Sequence, residues 1–213
     1  MAPLRHLSFR LLIVGQLVSN FGDAIYSVAL PWYVLAHHGG PLLLGTVLAA
    51  YGVPRTALLV VGGHASDRYR PWTVMLAANV ARGAAVAAFA VTATTGLAKG
   101  SVLIVIAVIL GAGEGMFIPA SSAIVPALVP REELQASNAL SFGATELSQL
   151  AGPALGGVLV AFAGAASGFA IDAATFVVSA LTLIGIQHDA PKPATTNDPH
   201  HHPDAAAGAA TAL

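Results

Sequence analysis

The chain has 213 residues, 56% of them apolar and only 9% Asp, Glu, Lys or Arg, where an ordinary soluble domain carries about 25% charged residues. With a mean hydropathy of +0.75 and nine basic against ten acidic residues, a formal net charge of −1, a soluble enzyme, a disordered chain and a nucleic-acid binder with a basic face are all excluded. Cysteine is absent, which removes disulfides, thiolate metal sites and cysteine nucleophiles and leaves an integral membrane protein.

A hydrocarbon core of about 30 Å needs about 20 predominantly apolar residues in a helix. Six stretches of the sequence meet that requirement, over residues 8–36, 42–61, 72–95, 101–125, 137–163 and 167–186. Turn residues separate them, as in His37-His38-Gly39-Gly40-Pro41 and around Gly96–Gly100 and Gly164–Ser167. The last two spans are rich in Gly, Ala and Ser, residues that let helix backbones approach closely in lipid. Arg5 and Arg10 before an apolar run resemble a signal peptide, but the run continues to Trp32 and reads as an uncleaved first helix.

Six crossings put Arg5, Arg10, Arg68, Arg70, Arg131 and Lys192 on one side and only Lys99 on the other. The positive-inside rule then places both termini in the cytoplasm of a multi-pass inner-membrane protein. Trp32 and Tyr33 at one end, and Tyr69 and Trp72 at the other, fall where interfacial aromatics are expected. A bundle over 1–187 is followed by 188–213, rich in Pro, Ala, Thr, Asp and His, which reads as a disordered cytoplasmic tail. His200-His201-His202 is taken as part of that low-complexity tail, and the pattern calls for no metal and no cofactor.

Spans one to three and spans four to six form two consecutive groups of nearly equal length. Each group opens with a helix that carries a mid-span carboxylate, Asp23 or Glu114, and a later proline, Pro31 or Pro119. Three spans per group reverse the membrane orientation of the second, so the expected fold is an all-α bundle of two inverted three-helix repeats.

Charge at the bilayer centre costs roughly 2.5–3.5 kcal/mol on insertion scales, so each ionisable group in a span needs a reason. Gln16, Asn20, Asp23 and Ser27 recur at i, i+4, i+7 and i+11 and share one helix face. That face lines a cavity or forms an interhelical hydrogen-bond seam. Glu114, within Gly111-Ala112-Gly113-Glu114-Gly115, is a candidate proton site or the permanent partner of Arg82. Arg82 is the deepest cation and needs Asp23 or Glu114 beside it. Arg55 and Glu146 read as snorkelling groups, and Asp172, Thr175, Ser179 and Thr182 as a packing stripe.

Between the second and third spans stands Gly63-His64-Ala65-Ser66-Asp67-Arg68-Tyr69-Arg70, which resembles the G-x-x-x-D-R loop signature of major facilitator superfamily transporters. Gly152-Pro153-Ala154-Leu155-Gly156-Gly157 is similar to the core of that superfamily's antiporter motif. Two stretches, Gly15 to Asp23 and Val125 to Leu134, look like its bacterial drug and siderophore exporter branch. Arg70, Pro71 and Trp72 stand where the loop signature continues with Gly and basic residues, and Ser148 where the fifth-span motif has a further glycine.

The resemblance implies half of a major facilitator fold: an N-terminal six-helix half of a proton-coupled exporter of small, largely apolar molecules. It implies a cavity lined by the first and fourth spans, with Gln16, Asn20, Asp23, Arg82 and Glu114 as proton or substrate sites. It also implies that Gly63, Asp67 and Arg68 serve a cytoplasmic gate whose partner helix lies in a second half. That half could be a second copy of the chain or a separate polypeptide, and the tail resembles the linker between halves, so a truncated product is an alternative. Gly152, Gly156 and Gly157 would form a groove for a neighbouring helix, with Pro153 permitting a bend. A non-transporting membrane subunit fits the same pattern. An intramembrane serine protease does not: the nearest serine pattern, Gly164-Ala165-Ala166-Ser167-Gly168, falls at the loop before the sixth span with the wrong spacing, and no histidine falls within a span.

Overall fold

The computed structural model describes residues 2–37, 39–95 and 99–186. The expected tail over 188–213, with its three histidines, lies outside the described residues. After a 3-10 turn at Ala2–Arg5 come α1 (Leu7–Ala36), α2 (Gly40–Arg68), α3 (Pro71–Thr94) and α4 (Gly100–Leu128). A second 3-10 turn at Arg131–Glu133 leads into α5 (Leu134–Ala163), and α6 spans Ala165–Gly185. All six helices are long and apolar enough to cross a membrane.

The largest departure from the sequence reading is at α2, which runs on from Val61 to Arg68. The apolar stretch ends there, but no proline interrupts the chain before Pro71. Polar side chains turn inward onto the helix instead: Ser66 Oγ donates to the Gly62 carbonyl at 2.8 Å, and His64 Nδ1 lies 3.1 Å from that of Val60. The G-x-x-x-D-R signature therefore occupies the last two turns of a helix rather than a loop. In the same way α4 passes through Pro126 to Leu128, and α5 starts at Leu134, three residues before Ser137. Gly164, at φ 79°, makes the turn into α6 in a backbone region that side chains disfavour.

The helices form an arc in the order α5, α1, α6, α3, α4, α2. Exchanging α1 with α4, α2 with α5 and α3 with α6 reproduces the same neighbours: α1 packs on α5 and α6, as α4 packs on α2 and α3. The arc is thus two copies of one three-helix arrangement, inverted by the odd number of crossings. Its two ends, α2 and α5, keep large apolar side chains uncovered, among them Leu42 and Val53 on α2 and Leu150 and Phe162 on α5.

Lipid is as apolar as leucine, so association rests on close packing rather than on the hydrophobic effect. Small residues supply the approach. A Cβ at Gly111 would strike the backbone of Tyr51 on α2, and one at Gly62 would lie 2.8 Å from the Gly115 carbonyl oxygen on α4. On the other flank Gly152 meets Ala24, and Gly156 lies 3.0 Å from the Ile25 Cα. Gly157 differs from expectation, because its missing Cβ would meet nothing within 4 Å. It sits on the open side of α5, beside exposed Pro153. Ser148, in the place of the family's glycine, is fully buried and donates to the Ala144 carbonyl at 2.9 Å.

Two apolar cores hold the ends of the bundle. One gathers Phe9, Leu12, Met75, Ile124 and Leu183, the other Tyr33, Val47, Phe89, Phe169 and Phe176. Tyr33, in the last turn of α1, points into this core rather than outward: it is 5% exposed, with its ring edge-on to Phe89 and Phe169. Between the two cores lies a polar layer.

Candidate functional site

That layer is built around Arg82, which is 3% exposed on α3. Its Nη2 donates to both carboxylate oxygens of Asp23 on α1, at 2.7 and 2.8 Å. The guanidinium carbon sits 4.5 Å above the Phe176 ring of α6, a cation–π contact strengthened by burial. Room for the aliphatic stem comes from Gly113 on α4, where a Cβ would lie 2.6 Å from the Arg82 Cγ. The glycines around Glu114 thus make space for α2 backbone and for Arg82 rather than for Glu114 itself.

Glu114 and Arg82 are not paired. Glu114 accepts a hydrogen bond from the Tyr51 hydroxyl, and its Oε1 lies 3.3 Å from the Nε of Arg55. Tyr51 and Arg55 stand at i and i+4 on α2, so one helix face delivers both to the carboxylate. Arg55, expected to snorkel, instead reaches inward while its side chain stays 42% exposed.

The four polar residues of α1 divide. Asp23 and Ser27 border a cavity of about 140 Å³ closed by Tyr26, Leu48, Tyr51, Arg82 and Leu110. Asn20 Nδ2 donates to Thr145 Oγ1 on α5 at 3.2 Å, a seam between helices. Gln16 is half-buried and has no hydrogen-bond partner among the described residues. On α6, Thr182 and Thr175 pack into the notches left by Gly15 and Gly22, and Ser179 accepts from Asn79 of α3 at 2.8 Å. Gly63 faces open space, and Arg68 is exposed at the end of α2, where Asp67 also stands. Ser167 lies in the first turn of α6 and donates to the Gly164 carbonyl at 2.6 Å.

Sequence reasoning passed over Tyr51 and misjudged Arg55, and it read Asp172 as packing without noting how deeply its carboxyl is buried. The i, i+4 spacing of Tyr51 and Arg55 in an apolar helix was the available signal. Asp172 announced itself less, being one member of a stripe of small polar residues.

A buried ion pair beside a small cavity, in a six-helix arc with uncovered ends, is half of a transporter architecture. The family comparison decides it: residues 1–200 match the model of a family described as transmembrane secretion effectors. The chain belongs to this branch of the major facilitator superfamily. It is 30% identical to the multidrug efflux pump Tap of Mycobacterium tuberculosis over 197 residues, 90% of this chain and 46% of the pump. It is 29% identical to the enterobactin exporter EntS of Citrobacter koseri over 202 residues, 93% of this chain and 47% of the exporter. The uncharacterized MFS-type transporter YfiS of Bacillus subtilis is 27% identical over 180 residues, 84% of this chain and 42% of the relative. The chain spans about half the length of the curated relatives it matches.

Proposed function

We propose that the chain works as the N-terminal six-helix half of a proton-coupled exporter of small, largely apolar molecules. The observation that carries this reading is the Asp23–Arg82 pair exposed on one side to a cavity: Asp23 is 35% exposed while Arg82 is 4% exposed in its side chain. A carboxylate held by a cation yet open to water can take up a proton or a substrate charge and release it again. Glu114, held by Tyr51 and Arg55, is the second such group. Asn20, bonded to Thr145, ties α1 to α5 on the same helix as Asp23. The similarity to Tap, a multidrug efflux pump, and EntS, an enterobactin exporter, supports export rather than import.

The other half faces α2 and α5. Their outer sides present apolar residues, yet near the middle of α5 stands exposed Glu146 and on α2 the partly exposed Arg55. Charges at that depth are unfavourable against lipid, so this face meets protein or an aqueous path. A second copy of the chain or a separately encoded half fits there. Gly63, Asp67 and Arg68 would then contribute to its cytoplasmic gate, and the Gly152-Pro153 to Gly156-Gly157 segment to rocking of α5 on α1. Both termini are assigned to the cytoplasm, so a reporter fused at Lys99 should read out on the far side.

Everted membrane vesicles containing the chain with its second half test the reading. A pH gradient should drive uptake of a fluorescent apolar dye, and the Asp23→Asn, Glu114→Gln double variant should insert normally but lose that pH dependence. Full transport by the double variant would sink the proton assignment. Export from liposomes by demonstrably monomeric chain would sink the half-transporter reading.

A further inference from the structure

Asp172 on α6 is 1% exposed, and its Oδ2 has no hydrogen-bond partner. Its Oδ1 lies 3.4 Å from Thr175 Oγ1 on the same helix. Against α1 it sits where Gly22 has no side chain: a Cβ there would come within 2.5 Å of Oδ1. Asp23, the next residue on α1, is held by Arg82 of α3, and α3 packs on the same α6 helix. The Arg82 guanidinium stacks on Phe176, one turn beyond Asp172 on the same face of α6, and its Nε has no partner. Asp172 interacts electrostatically with both Asp23 and Arg82.

We propose that Asp172 is the alternate partner of Arg82, so that Asp23, Arg82 and Asp172 form one cluster holding a single exchangeable proton. This deepens the reading of the chain as part of a proton-coupled transporter and rests on it. One guanidinium cannot neutralise two carboxylates away from water, and an uncompensated buried charge is strongly unfavourable. With Arg82 on Asp23, as here, the proton resides on Asp172. In the exchanged state the O–H bond on Asp172 breaks, one forms on Asp23, and the guanidinium turns to Asp172. The cluster stays neutral throughout, with one cation, one carboxylate and one carboxylic acid. Asp23, which borders the cavity, is where the proton meets water. The groups facing Asp172 are Asp23 and Tyr26 of α1 and Arg82 of α3; from α5, which also packs on α6, Glu146 lies exposed.

The test uses the full chain, purified in detergent, as Asp172→Asn, Asp23→Asn and the double variant. Each single variant leaves Arg82 one carboxylate, so folded, monodisperse yield should stay within about twofold of wild type. The double variant strands the guanidinium and should lose at least about tenfold, a non-additivity expected of groups sharing one partner. Infrared difference spectra at neutral pH should show a carboxylic-acid C=O band that Asp172→Asn removes. Asp23→Asn should remove it too, because Arg82 then claims Asp172 as a carboxylate. A double variant no worse than its worse single parent, or a band that survives Asp172→Asn, would overturn the proposal. Neither readout needs transport, so dye uptake without pH dependence beside an intact band pattern would count against proton coupling alone.

Discussion

Asp23 and Glu114 occupy corresponding places in the two three-helix units, yet their surroundings differ in kind. Asp23 is gripped through both oxygens by an arginine that is itself buried, stacked on Phe176 and lodged against Gly113. Glu114 is approached by an arginine that is partly exposed, at 3.3 Å and without hydrogen-bond alignment at Nε. Arg82 comes from α3 and crosses to α1, a helix that is not its neighbour in the arc, whereas Arg55 comes from α2, packed directly on α4. A repeat can therefore keep the position of an acid while changing how the acid is held. The first pair ties the middle of the bundle together through a buried arginine; the second draws its arginine from α2, on the open side at one end of the arc.

The comparison breaks most sharply at the two arginines. Arg82→Ala would leave Asp23 without its cation and Phe176 over a void. Removing one partner of a buried pair costs about 3–5 kcal/mol, so thermal unfolding in detergent should show a large loss of stability or no folded protein. An Arg82→Ala variant with a wild-type melting temperature would mean that the pair is not structural.

A second test separates close packing from charge. Gly111 lies one turn before Glu114, and a Cβ there would collide with the backbone of Tyr51. Backbone cannot rotate aside as a side chain can, so Gly111→Ala should force α2 and α4 apart at about 1–3 kcal/mol. It should also loosen the Tyr51–Glu114 hydrogen bond, while Gly157→Ala, with open space around it, should leave the melting temperature nearly unchanged. Equal effects from the two substitutions would show that α2–α4 contact is not set by glycine.

These elements differ in how far the chain discloses them. Six spans follow from composition because lipid tolerates only helices and closed barrels, and apolar runs of about 20 residues select the helix; the repeat follows from Asp23 and Glu114 opening successive groups of three. Helix ends were less legible: hydropathy stopped α2 at Val61, but what ends the helix is backbone chemistry, and nothing forbids it before Pro71. The need of Arg82 for a carboxylate was legible from charge balance. Which carboxylate it takes was not, since that depends on how α3 and α1 are rotated across α6. Asp172 was hidden for the same reason, because a packing stripe and a charge cluster can share one helix face. Gly157 looked like its neighbours Gly152 and Gly156, but one residue along a helix turns by about 100°, enough to leave the interface.

The smallest expected effect is at Arg55. Its side chain is 42% exposed and its contact with Glu114 is poorly aligned, the circumstances in which an ion pair contributes about 0–1 kcal/mol. Glu114 keeps the Tyr51 hydroxyl when Arg55 is gone, so Arg55→Ala should shift the melting temperature little. If the open-side pair serves exchange rather than cohesion, the same variant should alter the pH dependence of transport by the assembled protein while folded yield holds. Arg55→Lys should restore part of that dependence, because a cation returns even though the planar guanidinium does not. Loss of stability comparable to that of Arg82→Ala would erase the distinction between the two acids, and both would then have to be read as structural ties.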